Sequence, residues 1–302
     1  MKFPVLRALW QTSAEVAVRD PGARFLSAPR PIGPYAREDW EFAWLSVVAY
    51  AKTPGAVAHA RLRRRKANLA ADQASAQTEA SDINVTAENR LAAAGWSRWQ
   101  GFPDDGLLKK IATTHLRVEV WERKNPAAVA VTFGGTVFNN DKDWLANLRW
   151  LLPGHRDEYT DVVQSFAPAF APELKRRWPQ GVTLFSTGHS LGGGLAQQFA
   201  YSVPPGSTKV TKVYAFDPSP VTGYLSVARP LRDENKQGLL IDRIYERGEI
   251  LAILRSLTSV FWRPTRVNAA IRGVRYALFR SWNAVGAHSI PALASGLDAA
   301  AK

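Results

Sequence analysis

No cysteine occurs among the 302 residues. Disulfide bonds and thiolate metal sites are therefore excluded, whatever compartment the chain works in. No apolar run reaches the ~18–20 residues that a membrane-spanning helix needs. The opening MKFPVLRALWQTSAEVAVRD is interrupted at Arg7, Gln11 and Glu15 before an apolar core forms, so no secretory signal peptide is expected. The chain is expected to be soluble or to sit on a membrane surface, either cytoplasmic or exported by a signal-independent route. Negative charge is also scarce. Lys and Arg number 39 against 26 Asp and Glu, a net charge of +13, and no acidic residue lies between Ile250 and Leu297.

Such an excess favours anionic partners. No RNP sequence, zinc-ligand set or basic zipper accompanies it, so nucleic acid is not expected. The segment RSLTSVFWRPTRVNAAIRGVRYALFRSW interleaves arginines with Phe261, Trp262, Tyr276, Phe279 and Trp282. That is the composition of a basic amphipathic helix docking on an anionic membrane surface. A solvated arginine face over a core-facing aromatic stripe fits the same residues.

At 46% hydrophobic the chain can bury a full core, and its length suits one large α/β domain. Residues 1–100 read as a helical N-terminal extension. Two strand-like runs then flank Lys124-Asn125-Pro126, as a hairpin would. Helical spacing returns over Phe138–Leu152 and Tyr159–Trp178. Three strands follow, at Val182–Thr187, in TKVTKVYAF and in GLLIDRIYE, with helical Leu191–Tyr201 between the first two. This alternation predicts a mostly parallel central sheet with helices on both faces. A basic, aromatic helical insertion is expected at about 250–282.

Gly188-His189-Ser190-Leu191-Gly192 fits the G-x-S-x-G nucleophile elbow, here between a predicted strand and a predicted helix. The abrupt turn leaves room only for very small residues two positions either side of the serine. It raises the Ser190 hydroxyl above the sheet edge and turns the Leu191 N–H toward a forming oxyanion. The alternative is a glycine-rich loop without chemistry.

A serine hydroxyl needs a base, and in elbow folds the chain order is serine, acid, histidine. Of five histidines, His59, His115 and His155 precede the serine, and the turn sends the adjacent His189 elsewhere, leaving His288. The acid falls between Ser190 and His288. Residues just past strand ends are the candidates, which selects Asp217 and Glu249. Asp242 and Glu246 lie inside a strand, and Asp233 and Glu234 in a charged loop.

VAVTFGGTVFNNDKDWLANLRW, GHSLGGGLAQQFA, VYAFDPSPVTGY and IDRIYERGEILAIL occur in the order found in class 3 lipases, which this chain resembles over Ala128–Leu293, about half its length. The resemblance implies an α/β-hydrolase fold with its catalytic core over 128–293. It implies Thr136 at the oxyanion-hole position beside Leu191, and Asp143 and Trp144 as a structural Asp-Trp pair. It also puts Glu249 at the acid position, with Asp217 the alternative, in a loop where that family usually has glycine. Gly134 replaces the family's usual arginine, and Glu249 its usual aspartate. The implied activity is a lipase or phospholipase working through an acyl-enzyme on Ser190, without metal or organic cofactor. A non-lipid esterase or thioesterase, and an inactive hydrolase-like protein that binds membranes, are the alternatives.

Overall fold

The computed structural model describes residues 11–23, 25–51, 70–112, 114–135, 158–219, 222–247, 269–279 and 289–302. Among these residues nine strands form one sheet in the order β2-β1-β9-β8-β7-β6-β5-β4-β3. Its centre is β5 (Ala128–Phe133), β6 (Thr183–His189), β7 (Val210–Phe216), β8 (Leu240–Glu246) and β9 (Ala270–Tyr276). These five run parallel to one another. Antiparallel strands extend both sides: β4 (Val118–Arg123) and β3 (Trp96–Arg98) beyond β5, β1 (Glu15–Arg19) and β2 (Arg30–Pro31) beyond β9. The expected hairpin at Lys124-Asn125-Pro126 is the β4–β5 connection, with Arg123 opposite Ala128.

Every residue of β5 is buried, as a parallel strand covered on both faces requires. One face is covered by α1 (Gly33–Ala51), preceding α2 (Ala70–Ala93), and by the C-terminal α8 (Ile290–Ala301). There Phe42 of α1 stacks on Tyr214 of β7 at 3.7 Å between ring centroids. Ile290, Leu293 and Leu297, at helical spacing, join Leu45, Val274 and Tyr276 in the same core.

Between α2 and this C-terminal helix the chain forms α3 (Asp105–Ala112), α4 (Glu158–Asp161), a π turn at Val162–Phe166, α5 (Ala167–Arg177), α6 (Leu191–Ser202) and α7 (Arg229–Asn235). Phe166, Phe170 and Phe199 pack with Phe133 against the second face. Asp233 and Glu234, expected in a loop, lie on α7.

Two expectations change. Residues 1–100 are not simply a helical extension, because β1 inserts into the sheet beside β9 and β3 closes its far edge. Strands of five and three residues are too short to leave a periodic signal. Within the stretch expected to be helical at about 250–282, Ala270–Tyr276 is β9, at the heart of the sheet. Gly273 weakens a helix there, and Val274 and Tyr276 alternate with Arg275 at the two-residue period of a strand. Residues 250–268 and 280–282 lie outside the described residues. Among the described residues no helix is long and apolar enough to cross a membrane.

Candidate active site

Strand β6 ends at His189 and α6 begins at Leu191, leaving Ser190 alone to turn the chain. Its backbone adopts φ 58°, ψ −122°, a conformation a residue with a Cβ takes only under strain. Neighbouring backbone holds the strain in place. The Ser190 N–H donates to the Phe216 carbonyl at 3.0 Å, and the Ser190 carbonyl accepts from Gly193 N at 3.1 Å and Ser219 N at 2.9 Å.

The glycines around the serine are there for space. A Cβ on Gly188 would lie 2.3 Å from the Gly192 carbonyl oxygen, and one on Gly192 would lie 2.2 Å from the Phe133 oxygen. A Cβ on Gly193 would meet Pro218 Cβ at 2.9 Å. The end of β5, the serine turn and the 217–219 turn thus form one close-packed backbone knot. Gly134, where the resembled family has arginine, belongs to it as well. A side chain there would meet the Ala49 carbonyl at 2.7 Å and Arg117 Cβ at 2.9 Å.

Leu191 opens α6, so its N–H has no carbonyl one turn earlier within the helix and lies at the positive end of the helix dipole. Asp217 follows β7 directly and has φ 39°. It is fully buried. Its N–H donates to the Ile244 carbonyl at 2.7 Å, and its Oδ1 accepts from Glu246 N at 3.3 Å. Its Oδ2 lies 3.7 Å from Nε2 of the buried His189. The side chain of His189 thus turns to Asp217, directly beside the serine. Glu246, the last residue of β8, is also fully buried and accepts from the N–H groups of Leu278 (3.1 Å) and Phe279 (3.2 Å). Burial raises its carboxyl above the ordinary range despite those bonds.

Ser190, Leu191, Gly188, Gly192 and Asp217 are therefore brought to one end of the parallel strands. Thr136, Asp143, Trp144, Glu249 and His288 lie outside the described residues. Ser289 caps α8 through its hydroxyl, which accepts from Ala292 N.

A second ionisable group of residues sits across the sheet, under α1. Oxygens of Glu38, Asp39 and Asp242 lie within 4.8 Å of one another, close enough to share a metal ion. Two side-chain cations already enter it. Lys212 Nζ lies 2.7 Å from Asp242 Oδ2 and also pairs with Glu38, and Arg272 bonds Asp242 through Nε at 2.8 Å. Burial, with the Asp242 charge adding and the Lys212 charge opposing, pushes the Asp39 carboxyl up to about 8. The Tyr276 hydroxyl donates to it at 2.6 Å. The sequence carries no signal for this group, because its members come from α1, β7, β8 and β9.

No family model matches the chain, and no curated protein matches it. Among solved structures it is similar to a Rhizomucor miehei lipase propeptide complex in its native form. The identity is 14% and the TM-score 0.45, over 81% of this chain and 67% of that one. A deletion mutant of the same complex is similar at 15% identity and TM-score 0.43, over 78% of this chain and 64% of the other. The chain spans about two thirds of the length of those structures.

Proposed function

We propose that this chain is an α/β-hydrolase of the class 3 lipase type, a serine hydrolase of carboxylic esters acting on lipids. The observation that carries the reading is the backbone of Ser190: a strained, non-glycine residue between a buried parallel strand and a helix, locked by three backbone hydrogen bonds and walled by glycines. Strain of this kind persists where the surrounding structure over-determines it, and it clusters at active sites.

In this mechanism the Ser190 oxygen attacks the acyl carbonyl while His288 takes its proton. The Leu191 N–H and Thr136 stabilise the oxyanion, and loss of one such donor typically lowers turnover ~10²–10³-fold. Collapse of the tetrahedral intermediate expels the alcohol, which receives the proton from His288. Water, deprotonated by the same histidine, then cleaves the acyl-enzyme. Glu249 orients His288. The net charge of +13 supports docking on an anionic bilayer.

Covalent labelling by a fluorophosphonate tests the reading. Label on the wild-type protein that is absent from Ser190→Ala establishes an activated serine. Folded wild-type protein that stays unlabelled, with and without anionic liposomes, overturns it in favour of a binding protein.

A further inference from the structure

The parallel ladder between β8 and β9 runs to the paired residues Glu246 and Tyr276. One further bond, from Arg247 N to the Tyr276 carbonyl at 2.9 Å, closes it. Past that point the peptide N–H groups turn to a side chain instead of a strand. Leu278 N donates to Glu246 Oε2 at 3.1 Å, and Phe279 N donates to Glu246 Oε1 at 3.2 Å. One carboxylate thus takes two successive peptide donors, one on each oxygen.

Alternation along β8 puts Glu246 on the face of Ile244, which α1 and α8 cover. The surroundings there are apolar. Ile244, Val274 and Leu293 belong to one core, and Leu278 packs against it. Gly296 of α8 makes room for the turn, since a Cβ there would lie 2.9 Å from Leu278 Cδ1 and 3.4 Å from Phe279 Cζ. Glycine is unfavourable inside a helix, and here it lets the turn approach the helix closely.

Such a place is costly for a charge. Burial raises the Glu246 carboxyl above its ordinary range, and the N–H groups of Leu278, Phe279 and Arg247 and the Arg247 charge oppose the rise. A neutral side chain would avoid that cost but could not satisfy the turn. Glutamine offers one acceptor and one NH2 group, so one of the two peptide donors would face another donor. A carboxylate accepts from both.

This clip meets the proposed catalytic groups at two places. Glu246 N donates to Asp217 Oδ1 at 3.3 Å, and Asp217 Oδ2 faces His189, the neighbour of Ser190. Phe279 also opens the stretch that leads to His288, nine residues further along the sequence. Ser289, the residue after His288, caps α8. The cap fixes the far end of that stretch, and Glu246 fixes the near end.

We propose that Glu246 is a positioning residue for ester hydrolysis: it holds the start of the stretch that carries His288 and so sets where the imidazole stands against Ser190. The role rests on the hydrolase reading. Glu246 acts through the backbone, whereas Glu249 is the proposed partner of the imidazole itself.

Glu246→Gln tests the role on p-nitrophenyl butyrate, a soluble ester, well below the melting temperature of the variant. Its kcat is expected to fall about tenfold or more with KM nearly unchanged, because a misplacement of about 1 Å can cost 10²-fold. Fluorophosphonate labelling of Ser190 should slow by the same factor, since it also needs His288 to take the serine proton. Phe170→Leu, in the core of the opposite face, is the control for lost stability. It should lower the melting temperature and leave kcat unchanged. A Glu246→Gln protein that melts lower yet keeps its kcat and labelling rate overturns the proposal. If Glu246→Gln does not fold, Glu246→Asp decides. That variant keeps the charge and withdraws it by one methylene, so a similar loss of kcat is expected, and full activity overturns the role.

Folded wild-type protein that stays unlabelled ends the hydrolase reading, and the catalytic role of Glu246 with it. The clip is then decided separately, by the rate of tryptic cleavage after Arg280, the residue that follows Phe279. Faster cleavage in Glu246→Gln supports the clip, and equal rates in the two proteins overturn it.

Discussion

The carbonyl oxygen of Gly192 occupies the space where a Cβ of Gly188 would be, 2.3 Å from the ideal position. These two residues on either side of Ser190 are thus in backbone contact, and neither has a flexible neighbour that could move aside. Gly188→Ala must push α6 away from β5 and β6. Overpacking of this kind costs about 1–3 kcal/mol, and a backbone carbonyl as the obstacle puts the substitution at the upper end. The expected outcome is a midpoint of urea unfolding well below that of wild type. Gly206→Ala is the contrast for space, since nothing lies within 4 Å of its Cβ position, although its φ of 73° adds some strain. Equal losses in the two variants would show that crowding at the serine turn is not what fixes glycine there.

The elbow was legible in the sequence because each of its parts leaves a local mark. β6 is a short apolar strand, α6 has helical spacing, and the glycines fall at fixed offsets. β5, β7 and β8 could be read for the same reason, as buried runs bounded by turns. β9 was not, because Arg272 stands on the face of Val274 and Tyr276 and breaks the apolar alternation there. The contact between His189 and Asp217 depends on a positive φ at Asp217 and on the lateral order of β6 and β7. Neither is written in a local pattern. The ion group under α1 was hidden for the same reason, since Glu38 and Arg272 are 234 positions apart.

Asp39 gives the fold a pH dependence of definite sign. Its carboxyl is nearly completely buried, faces Glu38 and Asp242 as like charges and Lys212 as a counter-charge, and is pushed up to about 8. In the unfolded chain an aspartate titrates near 4. Between roughly pH 4 and pH 8 the folded form therefore keeps a proton that the unfolded form has lost. The contribution of this group to stability is fully present below pH 4. It falls as pH rises through that window and is level above about pH 8. Each tenfold difference in proton affinity between the folded and unfolded forms is worth about 1.4 kcal/mol, so the full effect is a few kcal/mol. Asp39→Asn keeps an acceptor for the Tyr276 hydroxyl and removes the titration. Its melting temperature should vary less than that of wild type between pH 5 and 8, and should exceed it at pH 8.5. Parallel pH profiles for the two proteins would exclude Asp39 as the source.

The choice of the acid that orients His288 turns on what Asp217 already does. Its Oδ1 accepts from the Glu246 N–H and its Oδ2 faces His189, so both oxygens lie toward groups below the serine turn. A carboxylate engaged in this way holds the elbow in shape. It would have to leave those contacts to reach a second imidazole. Glu249 follows β8 by three residues, outside the described residues. In the proposed mechanism, removing the carboxylate that orients the histidine leaves the wrong tautomer facing the serine, a loss that reaches about 10⁴-fold in a serine protease. Glu249→Gln is therefore expected to lower kcat by about 10²-fold or more with little change in melting temperature. Asp217→Asn is expected to lower kcat less than tenfold and to reduce the melting temperature, because the neutral amide weakens the pairing with His189. Paired kinetic and melting measurements on the two variants distinguish the roles. A severe kinetic loss in Asp217→Asn alongside a mild one in Glu249→Gln would transfer the orienting role to Asp217, and would require its side chain to turn away from His189.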